Sequence, residues 1–341
     1  MPVHLKFQPV WYIMKRLLCA SVVQWIRRKI PILVMWVRFP PEVPFLFHTI
    51  EGVNAMKIAQ YFQPGKTVFS MEIFPPKKTS SIDTIYETLE QLQGTDPAYI
   101  SVTYGAGGSV VNNATCEIAS LLQNQYKIDA MAHLTCVNCN KEDVDFILAR
   151  LKADGVENIL ALRGDKNPNF SPKEEFKYAS DLVAYIKEKG DFHIAGACYP
   201  ETHGEAESPE ADIANLKLKV DAGVSSLTSQ LFFDNNAFYN FLNRARKMGI
   251  SVPVEAGIMP VTNKNQIERM VTMCGASLPP KFVKIMQRYE HNPEALRDAG
   301  IAYAIDQIVD LISSGVDGIH LYAMNNPYVA TKIKDAIHNL L

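Results

Sequence analysis

The chain has 341 residues, which is enough for one large domain or two smaller ones. Its 34 basic and 36 acidic side chains give a formal net charge of −2, and no long basic run occurs, so the composition argues against nucleic acid as the main partner. Six cysteines without regular spacing indicate reduced thiols in a cytoplasmic protein. No apolar run reaches the length that a membrane span requires.

Residues 1–55 differ in character from the rest of the chain. No acidic residue precedes Glu42, all three tryptophans fall in this segment, and strand–helix alternation is missing. We expect residues 1–55 to be a non-barrel extension, either a disordered arm or residues upstream of a natural start at Met56. A targeting peptide or a basic membrane-surface segment is an alternative, although the many bulky aromatic residues and few serines fit a targeting peptide poorly.

The first predicted strand, Thr67–Phe74, carries a carboxylate that packing alone does not explain. Ser70 and Glu72 share one face of the strand, because side chains alternate between faces, and the other face is apolar. Pro75 and Pro76 then end the ladder. A buried charge is costly unless it is paired, so an inward-facing Glu72 at a strand end indicates a functional site.

Strand patterns recur along the chain, with helical patterns between most of them. The further predicted strands are Tyr99–Tyr104, Asp129–Thr135, Asn158–Arg163, His193–Tyr199, Ser226–Phe233, Val252–Met259 and Gly318–Tyr322. The predicted helices are Ile82–Leu92, Ala114–Asn124, Lys141–Asp154, Ser180–Lys189, Ala211–Ala222 and Asn236–Lys247, with more than one helix expected in the last long gap. Eight strand–helix units over residues 56–341 predict a (β/α)₈ TIM barrel, whose sites lie at the carboxyl ends of the strands.

The strand phase also predicts which side chains line the barrel. In the fourth strand, Leu160 and Leu162 share one face, and Arg163 and Asp165 end the other. The predicted inward set is Ser70, Glu72, Ser101, Thr103, His133, Thr135, Arg163, Asp165, Tyr199, Thr228, Gln230, Glu255, His320 and Tyr322. So polar a lining favours a large polar ligand at the mouth, and the alternative is a satisfied hydrogen-bond network without a ligand.

Familiar short motifs add little. No GxGxxG follows a strand, and neither a P-loop nor HExxH is present. Cys136 and Cys139 form one CxxC, which without a second pair is weak support for zinc or redox chemistry, and no metal site is predicted. After the fifth strand, Asp212, Asn215 and Lys219 recur at helical spacing, so they share one face of a helix near the barrel mouth or, alternatively, a solvated face.

These segments together resemble the bacterial-type, FAD-dependent methylenetetrahydrofolate reductase family. The strings that carry the resemblance are FSMEIFPP, ISVTYGAGG, AHLTC, ILALRGD, YPETH, DIANLKLKVDAG, TSQLFFD, GIMPV and HLYAMN, in family order from about Thr67 to the end of the chain. The resemblance implies an FAD-binding catalytic barrel that reduces 5,10-methylenetetrahydrofolate to 5-methyltetrahydrofolate with NADH or NADPH, which supplies methyl groups for methionine synthesis.

The resemblance also implies roles for particular residues. Glu72 corresponds to the general acid, Asp165 to the aspartate near flavin and pterin, and Gln230, Gln266 and Met270 to substrate contacts. The implied flavin contacts are Thr103, His133, Arg163, Gly164, Asp165, Tyr178, Ala179, Tyr199, His203, Asp212, Asn215 and Lys219. A partly desolvated carboxyl such as Glu72 can hold a proton near neutral pH, and a carboxylate such as Asp165 can stabilise the cation left by ring opening.

Three positions depart from the family pattern. Leu218 stands where some members have an arginine, so one FAD phosphate contact is not expected. Met270 stands where some members have a substrate-stacking phenylalanine, and an apolar contact is retained. Asn326 stands where a basic residue is common, which leaves one folate-tail contact without its usual partner. The sequence ends where the predicted barrel ends, so we expect no counterpart of the C-terminal domain through which eukaryotic relatives respond to S-adenosylmethionine.

Two other functions remain open on the residues alone. One is another FAD-dependent barrel oxidoreductase, similar to proline dehydrogenase, and the other is a catalytically silent folate-binding subunit. Glu72, Asp165 and Gln230 argue against the silent subunit, because a binding module has no need of an acid. The choice between NADH and NADPH, and a homo-oligomeric state, do not follow from the sequence.

Overall fold

Eight parallel strands close into a single barrel, as predicted. The computed structural model describes residues 56–76, 83–104, 113–165, 173, 175–263, 265–267 and 275–341. The predicted extension over residues 1–55 and the predicted substrate contact Met270 lie outside these residues. Each strand pairs in parallel with its neighbours in sequence, and the first pairs with the last, so every strand is hydrogen-bonded on both sides. Because all eight strands run parallel, their carboxyl ends meet at one mouth, and closure leaves no edge strand.

The strands fall close to their predicted positions. They are β1 Val68–Ile73, β2 Tyr99–Val102, β3 Asp129–Thr135, β4 Asn158–Leu162, β5 His193–Cys198, β6 Ser226–Ser229, β7 Val254–Ile258 and β8 Gly318–Leu321. β3 has the predicted bounds, whereas β6 ends at Ser229 instead of Phe233. After β6, Leu231 and Phe233 leave the ladder and pack in a separate cluster, where Phe233 stacks on Phe282 at a centroid distance of 4.5 Å.

Helices follow the strands and cover the outside of the barrel. Those within the described residues are α1 Asp83–Leu92, α2 Asn113–Leu121, α3 Lys141–Ala153, α4 Ala179–Lys189, α5 Pro209–Asp221, α6 Asn235–Lys247, α7 Pro280–Tyr289, α8 Pro293–Ser313 and α9 Pro327–Ile337. α7 and α8 fill the long gap before β8, as predicted. α9 was missed, although Asn326 caps it through Val329 N and Pro327 occupies its first turn, which is a recognisable start signal.

The predicted phase is right for most strands and wrong for β4. Leu160 packs with Val68, Tyr99 and Met131 in the cluster that fills the lower barrel, whereas Ile159 packs outward against the helices. The prediction that Arg163 and Asp165 continue an inward face is therefore incorrect. The strand stops at Leu162, and the two charged residues belong to the loop that follows, where they are free of the alternation rule.

A short segment before β1 closes the bottom of the barrel. Ile58 is fully buried among the lower interior residues, and its amide donates to Asn158 Oδ1 at 2.9 Å. Tyr61 donates its hydroxyl proton to Asp129 Oδ2 at 2.6 Å, and Lys57 forms an ion pair with Asp191. Among the described residues, this segment therefore covers the end of the barrel interior opposite the carboxyl ends of the strands.

Candidate active site

Glu72 and His133 face each other inside the barrel near its mouth. Glu72 is 9% exposed and His133 6% exposed, and Glu72 Oε2 lies 3.5 Å from His133 Nε2. The His133 Nε2 atom is buried and has no hydrogen-bond partner among the residues that the structure describes. Because an unsatisfied buried nitrogen costs free energy, this atom marks the place where a ligand group would be stabilised.

Burial makes both of these groups neutral. Desolvation raises the pKa of Glu72 from 4.5 to about 8 and lowers the pKa of His133 from 6.5 to about 3. Between these two values the carboxyl keeps its proton and the imidazole stays unprotonated. The site therefore holds a proton donor at neutral pH, as the acid role predicted for Glu72 requires.

A hydrogen-bonded network fills the barrel one layer below Glu72. Glu255, fully buried, accepts from Ser70 at 2.8 Å, from Thr228 at 3.5 Å and from the hydroxyl of Tyr99. His320 joins the network through Ser70, 2.7 Å from Nδ1. This layer corresponds to the alternative of an internally satisfied polar interior, whereas the layer of Glu72 and His133 does not.

The loop after β4 brings Arg163, Gly164 and Asp165 to the mouth. Gly164 has a φ of +84°, and a Cβ there would lie 2.9 Å from the Cβ of Thr135, so only glycine fits this turn. Arg163 donates two hydrogen bonds to Glu205, at 2.6 and 3.0 Å. Asp165 is exposed. Sequence reasoning missed Glu205, which lies 42 residues from its partner and carries no local signal.

The loop after β5 is fastened to the start of α5. The amide of His203 donates to Asp212 Oδ2 at 3.0 Å, and the His203 ring packs edge-on to Tyr199 at 4.6 Å. Lys219 reaches back to donate to the carbonyl of Ala197 on β5. Desolvation lowers the pKa of Lys219. The structure thus brings together four of the residues predicted to bind flavin.

The remaining predicted flavin contacts spread around the same mouth. Asn215 is exposed on α5, and Thr103 lies just beyond β2 with its carbonyl accepting from Thr115. Tyr178 is 52% exposed and precedes Ala179, the first residue of α4. These residues belong to the segments that follow β2, β4 and β5.

Gln230 is held in one orientation at the end of β6. The backbone N–H of Gln230 donates to the carbonyl of Cys198 at 2.7 Å, and its side-chain Oε1 accepts from the backbone N–H of Leu231 at 2.9 Å. Tyr322 donates to the carbonyl of Ser229 at 2.7 Å. Its ring crosses Gly257, where any Cβ would meet that same carbonyl at 2.2 Å. The side-chain amide of Gln230 is therefore fixed with Nε2 turned away from Leu231.

Gln266 lies in a helical segment, residues 265–267, that follows β7. Its Oε1 accepts from the amides of Thr262 and Asn263, at 2.8 and 3.3 Å. Of the positions that depart from the family pattern, Leu218 is 65% exposed on α5, and Asn326 is engaged in capping α9. Where a basic residue is common in the family, this chain therefore has an asparagine that caps a helix.

Within the described residues, no helix is both long and apolar enough to cross a membrane. The closed parallel barrel defines the class of protein: a TIM-barrel protein with a buried, protonated carboxyl near its mouth.

Comparison with known proteins gives the family. Residues 57–338 match the family model for methylenetetrahydrofolate reductase. The chain is 36% identical to "Methylenetetrahydrofolate reductase (NADH) 1" of Arabidopsis thaliana over 284 residues, covering 79% of this chain and 48% of that protein. It is 35% identical to "5,10-methylenetetrahydrofolate reductase" of Escherichia coli over 261 residues, covering 76% of this chain and 87% of that protein. The chain belongs to the methylenetetrahydrofolate reductase family, and it spans about half the length of the plant relatives.

A solved structure supports the fold. The "Uncharacterized protein from Clostridium thermocellum binds two copies of 5-methyl-5,6,7,8-tetrahydrofolic acid" superimposes with a TM-score of 0.58 at 14% identity, covering 81% of this chain and 98% of that chain. At this level of identity the similarity is one of fold alone.

Proposed function

We propose that this protein catalyses the FAD-dependent reduction of 5,10-methylenetetrahydrofolate to 5-methyltetrahydrofolate, with NADH or NADPH as the reductant. The observation that carries the proposal is the buried, neutral Glu72 beside the unpaired nitrogen of His133, at the barrel mouth of a member of this family. The product would supply methyl groups for methionine synthesis in the cytoplasm.

The residues at the mouth fit FAD. Just inside the mouth, His133 presents a buried nitrogen that has no hydrogen-bond partner among the described residues, and Lys219 offers a half-buried cation for phosphate oxygens. Gly164 permits the turn that carries Arg163 and Asp165 to the mouth. Arg163 is shared with Glu205 and would have to divide its donors between this carboxylate and the cofactor. When bound, FAD would accept hydride from the reduced nicotinamide and deliver it to the folate.

The chain's own contribution to the chemistry is the handling of a proton. Opening the five-membered ring of the folate requires a proton on the departing nitrogen, and Glu72 holds one because burial raises its pKa to about 8. Ring opening leaves positive charge on the substrate. Asp165, at the same mouth, is the carboxylate that would stabilise this charge.

Substrate orientation would fall to the opposite side of the mouth. Gln230 would donate from Nε2, since its Oε1 already accepts from Leu231. Gln266, with its Oε1 held by the loop after β7, would likewise offer its Nε2. Met270 would contribute an apolar contact to the pterin. The catalytic barrel would comprise residues 56–341, and a chain starting at Met56 should fold and retain activity.

The test is a comparison of half-reactions on the purified full-length protein. We expect a yellow protein whose flavin is bleached by NADH or NADPH and is restored by methylenetetrahydrofolate in anaerobic stopped-flow. Reoxidation by an electron acceptor but not by methylenetetrahydrofolate would indicate a different barrel oxidoreductase. Folate binding without bound flavin would indicate a silent subunit.

A further inference from the structure

The carboxylate beneath the general acid has no part in the proposed reaction. Glu255 sits in the closed part of the barrel and connects to His320 through one hydroxyl. Ser70 Oγ lies 2.8 Å from Glu255 Oε1 and 2.7 Å from His320 Nδ1, and Ser101 Oγ lies 3.3 Å from His320 Nε2. A chain of four polar groups therefore runs from Glu255 to Ser101.

The direction of these hydrogen bonds follows from counting protons. A carboxylate can only accept, and a serine hydroxyl has one proton to give. When Glu255 is ionised, Ser70 must donate to it, so His320 Nδ1 must donate to Ser70. His320 is neutral, because desolvation lowers its pKa to about 3, and its Nε2 is then an acceptor for the hydroxyl of Ser101. The oxygen of Ser101 keeps lone pairs for a further donor.

A neutral group at position 255 would reverse every bond in the chain. It would donate to Ser70, Ser70 would turn its proton to His320 Nδ1, and the His320 proton would move to Nε2 and point at Ser101. Ser101 would then accept from His320 Nε2, and its own hydroxyl would be free to donate a hydrogen bond to another group. This chain of hydrogen bonds has two states, and the charge of Glu255 selects between them.

Ser101 lies beside the general acid. Glu72 and Ser101 are paired in register on β1 and β2, on strands about 4.8 Å apart, and both side chains are buried on the inner face. We propose that ionised Glu255 is a positioning residue that fixes the tautomer of His320 and presents Ser101 to Glu72 as a hydrogen-bond acceptor, which favours the protonated acid. The inference rests on the proposed function only in calling Glu72 the acid of that reaction.

The surrounding groups allow this arrangement at neutral pH. The titratable and charged groups that face or act on the chain are Glu72 on β1, Tyr99 on β2, His133 on β3, Asp317 before β8, and His320 with Tyr322 on β8 and beyond. Desolvation raises the pKa of Glu255 to about 7, whereas it raises that of Glu72 to about 8. The hydroxyls of Ser70, Tyr99 and Thr228 donate to Glu255 and favour its ionised form, whereas desolvation alone acts on Glu72, so Glu255 is the carboxyl that ionises more readily.

The central experiment compares the parent with Glu255→Gln. In the variant the amide oxygen accepts from Tyr99 and the amide nitrogen donates to Ser70, so the chain is held in the reversed state. The infrared band of the protonated Glu72 carboxyl, isolated by subtracting the spectrum of Glu72→Gln, should titrate about 1 pH unit lower than in the parent. The alkaline limb of folate-dependent reoxidation should move by the same amount, and reduction by NADH should not.

The tautomer of His320 is read directly by ¹⁵N NMR of histidine-labelled protein, with His320→Gln for assignment. We expect the proton on Nδ1 in the parent and on Nε2 in Glu255→Gln. Ser70→Ala retains the charge of Glu255 but breaks the chain, so it should abolish the Nδ1 preference and lower the Glu72 titration. Thr228→Val removes a different hydroxyl from Glu255 and should leave the tautomer unchanged.

Two results would overturn the inference. One is an unchanged His320 tautomer in Glu255→Gln, and the other is a Glu72 titration in Ser70→Ala that matches the parent, which would mean that charge acts through space alone. The spectra require no folate. If the protein fails to reduce methylenetetrahydrofolate, the proposed function fails, while the spectra still decide the inference.

Discussion

The barrel interior and the barrel mouth are built on different principles. In the interior, Glu72, His133 and Glu255 are desolvated, and their pKa values are shifted by burial. At the mouth, Arg163 and Glu205 form an exposed ion pair, which stabilises the fold by no more than about 1 kcal/mol. The interior is thus prepared for chemistry before any ligand arrives, whereas the mouth can exchange its own contacts for those of a ligand.

Glu72→Gln is expected to have the largest effect and tests directly whether the buried carboxyl supplies the proton. The substitution preserves shape and removes the transferable proton, so folate-dependent reoxidation of the flavin should fall by about 10²–10⁴-fold. Reduction by NADH needs no acid and should proceed at close to the parental rate. Stopped-flow absorbance measures both rates, and near-normal folate reduction would leave Glu72 with a structural role only.

A mouth residue should affect retention of the cofactor instead of the proton step. Lys219→Ala removes a half-buried cation, and the loss of a charge-assisted contact should weaken FAD binding by about 10-fold or more. Asp212→Ala should act in the same direction by releasing the amide of His203. Added FAD should raise the melting temperature of both variants by mass action.

Exposed Glu210, in the first turn of the same helix, supplies the matched control. Glu210→Ala should retain its flavin on dilution. Full retention of flavin by both Lys219→Ala and Asp212→Ala, with no response to added FAD, would contradict the placement of the cofactor.

Gln230 lies between the two regions and should affect both half-reactions. Gln230→Ala removes an oriented amide donor, and each rate should fall by about 3–10-fold, the value of a typical hydrogen bond. A residue that only packs would instead lower the melting temperature and leave both rates intact, and that result would exclude a shared substrate contact.

The interior also predicts how stability depends on pH. Glu72 and Glu255 have folded-state pKa values raised from 4.5 to about 8 and about 7, so the folded state binds more protons there and stability falls as the pH rises through this range. His133 and His320 have pKa values lowered from 6.5 to about 3, so these two groups contribute stability that rises with pH up to 6.5. Between pH 4.5 and 6.5 the two trends offset each other, so the melting temperature should be level there and should fall as the pH rises from 6.5 to about 8.

Calorimetry from pH 5 to 9 checks this dependence. The alkaline decline should be shallower in Glu72→Gln by a few °C, since that variant has one fewer group to deprotonate. Glu205→Gln, at the exposed mouth, should keep the parental slope. A flat profile in the parent would mean that the interior carboxyls are hydrated.

The same division decides what could be predicted from the sequence. Period-two alternation placed Glu72, Ser101, His133, Glu255 and His320 on the inner face, because the geometry of a strand leaves a side chain only two directions. It could not show that Glu255 is satisfied by its neighbours and His133 is not, since this depends on distances between strands that are far apart in sequence.

The alternation of side chains that holds along a strand does not hold in a loop. In β4 the wrong face was assigned to the interior, because Leu160 packs inside the barrel, and the alternation was carried past Leu162 to Arg163 and Asp165, which lie in the loop. Glu205 was not considered, because an ion pair across two loops leaves no periodic trace. The family resemblance still brought Arg163 and Asp165 to the correct edge of the barrel, so their roles stay predictions of that resemblance.

The segment that closes the bottom of the barrel has an electrostatic consequence. Ile58 packs across the lower end of the barrel interior, and Glu255 is buried in the same interior, closer to the mouth. If Ile58 were exchanged for a small polar residue, water could enter from below and solvate this carboxylate, and its pKa would drift back toward 4.5. By this argument Ile58, whose side chain carries no polar group, helps to keep the pKa of Glu255 raised.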